Sequence, residues 1–400
     1  MKLLRHVLPL SVSLALITMV HAIPALAQAA SGTPISNDLH RATANPRLVR
    51  ITQGDDRGAI LASVAPGVFY RSTDHGATFR KVSKITYPAG VDWDCCGVLF
   101  EMPRTVGSVS AGTILFSADY CEGGRMSINI YSSADDGNSW KFLAAPVTGG
   151  KCANGKGVAG DGLWEPEFEV ASDGSLVLFW SDETDPCCSQ KLSQIRTTDG
   201  RRWQDKKDTV ASRDHAARPG MAVVSRTPSG KYFMTYELCG TANCDVMYRT
   251  SGDGWDFGPP ADMGKKVLTS SGRYFEHAPR NIWFPPDQSA DASQPSARGQ
   301  GELIVVGQVL FEKNGQVSHQ DGEILFENPS EDGSGPWRSI PAPVKVPDAN
   351  LRGKDVCQNY SSSLLPVKDA SALLEMASDH NSVGVCTSYF ATEPLPKRHP

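Results

Sequence analysis

The chain has 400 residues, of which 21 % are charged, and a formal charge of −5. A mildly acidic balance without a basic stripe argues against nucleic acid as a partner. Beyond Val20 there is no long apolar run, so neither a transmembrane domain nor membrane association is expected.

The N-terminus joins Lys2 and Arg5 to an apolar run from Val7 to Val20 and an Ala25-Leu26-Ala27 site. A charged start, an apolar stretch too short to span a bilayer and small residues at the cleavage position describe a secretory leader. The expectation is removal of residues 1–27 and an exported product, extracellular or periplasmic. Losing Lys2 and Arg5 takes the formal charge from −5 to −7. The remaining chain, 28–400, is long enough for two or three domains, yet no linker of suitable composition divides it. One domain, acting as a monomer, is expected. The stretch from Pro285 to Gly301, rich in Ser, Ala, Gln and Pro, reads as a surface loop.

In chain order, one short pattern keeps returning. Ser72-Thr73-Asp74-His75-Gly76-Ala77-Thr78-Phe79 recurs as Ser133-Ala134-Asp135-Asp136-Gly137-Asn138-Ser139-Trp140. A shortened copy ends at Gly200 and Trp203, and a degenerate one, Ser251-Gly252-Asp253-Gly254-Trp255, has Gly252 where the aspartate is expected. Strand-like residues precede them, such as Val68-Phe69-Tyr70 and Ile128-Asn129-Ile130-Tyr131. An aspartate that bonds turn amides, a glycine at positive φ and a trailing aromatic suit a hairpin turn that plugs a core. Gly76, Gly137, Gly200 and Gly254 lie 61, 63 and 54 residues apart. A period near 60, with several short strands per unit and few helical patterns, predicts an all-β, six-bladed β-propeller.

Ten cysteines in an exported chain imply structural disulfides. Cys239 and Cys244 flank a short turn and are expected to bridge. The adjacent pairs Cys95-Cys96 and Cys187-Cys188 are expected to seek distant partners, because neighbouring Cα atoms lie closer than disulfides usually span. Without a Cys-x-x-Cys pair and with scattered histidines, neither a metal nor an organic cofactor is expected. The run Gly150 to Gly157 imitates a phosphate loop but lacks its hydroxyl residue, and no Gly-x-Ser-x-Gly elbow occurs.

Two segments carry candidate chemistry. The first is Leu163-Trp164-Glu165-Pro166-Glu167-Phe168-Glu169-Val170. As a strand it would point Glu165, Glu167 and Glu169 to one face, which is costly unless that face meets water, substrate or basic groups. Pro166 equally suits a solvated edge strand. The second, Gly230 to Cys239, reads as a turn, then a strand with Glu237 near its end. Innermost propeller strands line a channel, so Glu237 is placed to meet the Glu165 cluster from a neighbouring blade. Two carboxylates across a sugar are the minimum apparatus of glycoside hydrolysis. Asp92, Trp93 and Asp94 beside the cysteine pair suggest a fixed loop at the channel mouth.

The repeats resemble the Asp boxes of sialidase-like propellers, which hydrolases and non-catalytic proteins share. Trp164-Glu165-Pro166-Glu167-Phe168, Ser189-Gln190-Lys191-Leu192, Arg218-Pro219-Gly220-Met221 and Tyr236-Glu237 are similar, in type and order, to motifs of glycoside hydrolase family 93. That resemblance implies a secreted enzyme cleaving α-1,5-linked arabinan from a chain end, with Glu165 and Glu237 as its catalytic pair and retention of configuration. Which glutamate attacks stays open. Glu165, between Trp164 and Pro166, leans toward the acid, and Glu237, if held ionised by Tyr236 and Arg218, toward the nucleophile. Trp164, Tyr236 and Trp93 are candidates to stack on sugar rings, and Gln190 and Arg218 to bond hydroxyls, although core aromatics and a structural ion pair are the competing assignments. Two alternatives remain: a sialidase on the same fold, using arginines such as Arg104, Arg218 and Arg280 with Tyr360 or Tyr274, and a carbohydrate-binding propeller without catalysis.

Overall fold

A computed structural model describes residues 30–286, 301–347 and 355–396. The leader 1–27 and nearly all of the Pro285 to Gly301 loop lie outside the described residues. Among those described there are strands and turns and no helix, so none is long and apolar enough to cross a membrane.

Among the described residues six antiparallel sheets of four or more strands follow one another along the chain, with a two-stranded hairpin, Cys152–Ala153 and Lys156–Gly157, between the second and third. The first strands of the six sheets are Arg47–Arg50, Val91–Glu101, Leu163–Val170, Ala217–Arg226, Arg280–Phe284 and Ser363–Val367. Each of these touches the first strand of the sheets before and after it, and the sixth touches the first, which closes a ring around a central axis. The fold is a six-bladed β-propeller, as the repeat spacing predicts. Closure uses the N-terminal strand Thr33–Pro34, which pairs with Cys386–Pro394 as the outer strand of the sixth blade. The fourth blade is widened by short strands Lys265–Lys266, Tyr274–Glu276 and Val309–Phe311.

The middle strands explain the apolar runs. Leu176–Asp182 is buried throughout because both of its faces meet a neighbouring blade. Leu178 and Trp180 pack with Leu115, Met126 and Ile128 of the second blade, while Val177 and Phe179 pack with Met234 and Tyr236 of the fourth. A strand sandwiched in this way has no polar face to alternate with. Each such large side chain contributes roughly 1.5–3 kcal/mol on burial.

The turn boxes form as expected, with one correction. Asp74 and Asp135 each accept the amide four residues on, at 3.0 and 2.9 Å. In the fourth box the aspartate is not missing: Asp253 accepts the amides of Trp255 and Asp256 at 2.9 and 2.7 Å, in a turn one residue shorter. A fifth copy, Ser330-Glu331-Asp332-Gly333, escaped the period because Gly254 and Gly333 are farther apart, with the added strands of the widened fourth blade between them. The trailing aromatics fill the seams between blades. Trp140 stacks on Phe69 at 4.2 Å, Phe79 meets Phe390 at 4.9 Å, and Trp337 is buried between the fourth and fifth blades.

All ten cysteines are paired. Cys239–Cys244 bridges as expected, and Cys121–Cys152 and Cys357–Cys386 span longer separations. The expectation for the adjacent pairs is overturned: Cys95 bonds Cys96 and Cys187 bonds Cys188, at Cα separations of 3.7 and 3.8 Å. The usual Cα range describes residues on separate chain segments. Neighbouring side chains can instead turn toward each other across an ordinary trans peptide spacing.

Candidate active site

The mouth at the N-terminal ends of the inner strands gathers most of the candidate residues, and backbone irregularity is what aims them. In the third blade Trp164 pairs with Ser181 and Glu167 with Phe179, so Glu165 and Pro166 together oppose one residue. This is a β-bulge, with Glu165 at φ +58°. The simple alternation predicted for three glutamates therefore fails at Glu165. Glu167 and Glu169 stay in step on the axis side, while the bulge swings Glu165 toward the fourth blade. The inner strand of the fourth blade has a matching bulge between Gly220 and Val223, with Met221 at φ +57°. Its freed amide points back across the seam.

Glu165 is thereby held from three blades. Ser181 Oγ donates to its Oε2 at 2.7 Å and the Met221 amide at 3.2 Å. Its own amide donates to Asp119 of the second blade at 3.1 Å. Burial, and then the charge of Glu237, push the Glu165 carboxyl up to about 7. Burial and the nearby Glu165 likewise raise Asp119 well above the carboxylate range.

Glu237 lies on the second strand of the fourth blade, opposite Gly220. Its Oε2 accepts the Ala278 amide at 2.9 Å and sits 3.4 Å from His277 Nδ1. The Cys239–Cys244 bridge closes the adjoining loop, and the His277 amide donates to the Cys244 carbonyl at 2.9 Å. The local disulfide thus positions the group that faces Glu237. Tyr360, between Asn359 and Ser361 at φ +51° and +57°, completes the cluster. Burial and the charges of Glu165 and Glu237 raise its phenol well above the usual value.

Beside this pair, Glu183 organises three of the other candidates. Its side chain is 3 % exposed and accepts Trp164 Nε1 and the Gly160 amide, both at 2.9 Å, and an Arg218 Nη2 bond. Arg218 Nη2 also donates to Gln190 Oε1 at 2.7 Å. Trp164, Gln190 and Arg218 therefore share one rim, with the Arg218 side chain 36 % exposed. Arg218 pairs with Glu183 and not with Glu237, which corrects that expectation. Sequence reading passed over Glu183, although its position just after a buried apolar strand placed it at a blade's end.

Tyr236 is not in the site. Strand alternation turns it away from Glu237 into the seam between the third and fourth blades, where it is fully buried and its hydroxyl bonds the Met263 carbonyl. Asp92, Trp93 and Asp94 belong to the strand Val91–Glu101 and not to the loop expected for them; Trp93 packs into the seam between the first and second blades with Lys156 Nζ 5.7 Å from its ring, and Lys156 pairs with Asp94 at 3.0 Å. Deeper on the axis, Arg280 Nη1 donates to Glu167 Oε2 at 2.8 Å. Arg47 is buried beside them and bonds Ser361, and burial followed by the Arg280 charge lowers it to about 9. These groups leave a cavity of about 10 Å³ lined by Cys96, Glu165, Glu167 and Arg280, room for about one water, so the channel is plugged at that depth.

No protein-family model matches the chain, and no curated protein matches it in sequence. Solved structures do match its shape. An α-L-arabinanase of Penicillium chrysogenum, complexed with arabinobiose, is similar at a TM-score of 0.69 and 24 % identity, over 91 % of this chain and 96 % of that one. A family-93 α-L-arabinofuranosidase of Fusarium graminearum, also with arabinobiose, is similar at 0.70 and 22 % identity, over 92 % and 98 %. The same Fusarium enzyme with one glutamate replaced by alanine, holding an iminosugar inhibitor, is similar at 0.70 and 22 %, over the same shares. This chain shares the propeller fold of those two proteins over nearly its whole described length.

Proposed function

We propose that this protein is an exported glycoside hydrolase that cleaves α-1,5-linked arabinan from a chain end with retention of configuration. The observation that carries the reading is the pair Glu165 and Glu237, brought from adjacent blades to one mouth and close enough for the charge of one to raise the other. Fold likeness to arabinan-active enzymes supports the substrate class. Paired cysteines throughout support an oxidising compartment.

Glu165, kept protonated to about neutral pH, gives its proton to the leaving glycosidic oxygen. Glu237, oriented by Ala278 N–H and His277, attacks the anomeric carbon as the bond to that oxygen breaks. The resulting glycosyl ester is then opened by water, which loses a proton to Glu165 and restores both carboxyls. Arg218, Gln190 and Trp164 form the rim that meets the sugar. Retention requires carboxyls about 5–5.5 Å apart in the working complex.

Tyr360 beside two glutamates is the feature this site shares with the sialidase alternative, whose chemistry uses a tyrosine supported by a glutamate. Its arginine triad does not assemble, however. Arg280 is engaged by Glu167, Arg218 by Glu183, and Arg104 lines the opposite mouth. Incubation with linear α-1,5-arabinan, and separately with a sialyllactose, tests the choice. Short arabino-oligosaccharides and no free sialic acid are expected. Release of sialic acid, or hydrolysis of neither, would overturn the proposal.

A further inference from the structure

The inner strands that present Glu165 at one mouth end at another opening, where the chain places a second set of groups. All six blades contribute to it, from Arg50 of the first to Pro366 of the sixth, and the cavity they enclose is about 690 Å³. That size lies within the range of small-ligand sites, and far above the roughly one-water gap that plugs the axis between the two mouths. Glu169 lines the cavity, two residues and so about 7 Å along the strand from Glu167, which lines the plug. The two mouths are separate compartments.

Positive charge is in excess in this cavity, with three guanidinium groups to two carboxyls. Arg50, Arg104 and Arg226 line it with two carboxyls, Glu101 and Glu169. Glu101 is tied to the first blade, accepting Thr52 Oγ1 at 2.6 Å and the Thr52 amide at 2.8 Å. Burial pushes Glu169 up to about 8, and its carboxyl meets the Val170 amide at 2.8 Å. Arg50 donates to the Pro366 and Gly58 carbonyls at 2.6 and 3.1 Å, which fixes its position. Arg104 and Arg226 are exposed and have no ion-pair partner among the described residues. Arg104 lies over Gly174, where a Cβ would come within 2.3 Å of its Nη2, and Arg226 leans over the Tyr232 ring at 5.8 Å. The same cavity is lined by the partly buried rings of Phe100 and Trp283, so it offers planar guanidinium groups together with apolar ring faces. A carboxylate borne on a sugar matches both.

We propose that this opposite mouth is a second, non-catalytic site for a carboxylate-bearing saccharide, a short uronate oligomer, held by Arg104 and Arg226 against Phe100 and Trp283. Binding here leaves the Glu165–Glu237 mouth open, so one molecule can hold an acidic glycan while the other face works on a neutral one.

Titration calorimetry with trigalacturonate tests the site, using a Glu165→Gln background so that nothing is turned over. Saturable binding is expected, weakened about tenfold or more by Arg104→Ala with Arg226→Ala, since two charge-assisted contacts are lost. Ser172→Trp, at an exposed position on the cavity wall, should obstruct binding to a similar extent and covers the case in which the double variant misfolds. Neutral arabinotriose and inorganic phosphate should not compete. In the otherwise native protein, the two arginine changes should leave arabinan turnover within about twofold. Absence of saturable binding, binding indifferent to both sets of changes, or equal competition by phosphate would overturn the proposal. Loss of trigalacturonate binding on Glu237→Gln would do so as well, because it would place the ligand at the catalytic mouth.

Discussion

Replacing Glu237 by Gln should lower the pKa of Glu165, and the size of the fall follows from the site. Glu165 is raised first by burial and second by the Glu237 charge, against hydrogen bonds from Ser181 and Met221 that favour its ionised form. Two unit charges about 5.5 Å apart at an effective dielectric near 20 repel by about 3 kcal/mol, or about 2 pK units. Solvent in the open mouth reduces that, so a fall of about one unit is expected from a native value of about 7. Burial remains in the variant, and Glu165 should stay above an ordinary glutamate. Ser181→Ala should act in the opposite direction, because the lost hydrogen bond favoured the carboxylate. Carbon-13 NMR of labelled glutamate side chains, titrated from pH 4 to 9, reads each value directly. In the native enzyme kcat/KM should decline above about pH 7 as the acid loses its proton. A Glu165 that titrates near 4.5 in the native protein, or does not move in Glu237→Gln, would refute the electrostatic coupling.

Further expectations are as specific. Glu165→Gln and Glu237→Gln should each cut turnover by about a thousandfold or more while melting temperatures change little, measured by product release and calorimetry. Azide should rescue one variant with inverted and the other with retained configuration, and Glu237→Gln is expected to give the inverted glycosyl azide. Glu183→Ala should raise KM more than it lowers kcat, and should destabilise by about 3 kcal/mol, since it strands the donors of Trp164, Gly160 and Arg218. Glu375→Gln should stabilise the protein in alkaline conditions. Burial raises this carboxyl to about 8, so its share of stability is complete below the unfolded value near 4.3 and is lost as pH rises through 8. Melting curves from pH 5 to 9 should therefore converge at the acid end and diverge in favour of the variant at the alkaline end.

The architecture was legible because it repeats. A turn aspartate, a glycine and a trailing aromatic recurring every sixty residues report one blade each, and the fifth copy at Asp332 was hidden only by a longer interval. Glu165 and Glu237 could also be placed near strand ends from apolar runs and turns, but Glu237 lies on the second strand of its blade and not on the innermost strand expected for it. What alternation could not reveal was the bulge at Glu165 and Pro166, because a left-handed glutamate before proline leaves no mark in the pattern of polar and apolar residues. Tyr236 shows the reverse failure: alternation alone would have sent it inward once Glu237 was assigned outward. The adjacent cysteine bridges leave no sign in spacing, because the usual Cα range describes residues on separate chain segments. The Glu183 hub joins residues 19 to 35 positions distant from it, Trp164 within the hairpin of its own blade and Arg218 across the seam from the fourth, which residue pattern alone does not reveal.

The most direct test of the central claim is to trap the covalent intermediate. A fluorinated arabinofuranosyl inactivator, followed by proteolysis and mass spectrometry, identifies the residue that attacks the anomeric carbon. The account predicts a single glycosyl adduct on the peptide that carries Glu237, absent when Glu237 is replaced by Gln. An adduct on Glu165 or on Tyr360, or turnover with inverted configuration and no adduct, would contradict it.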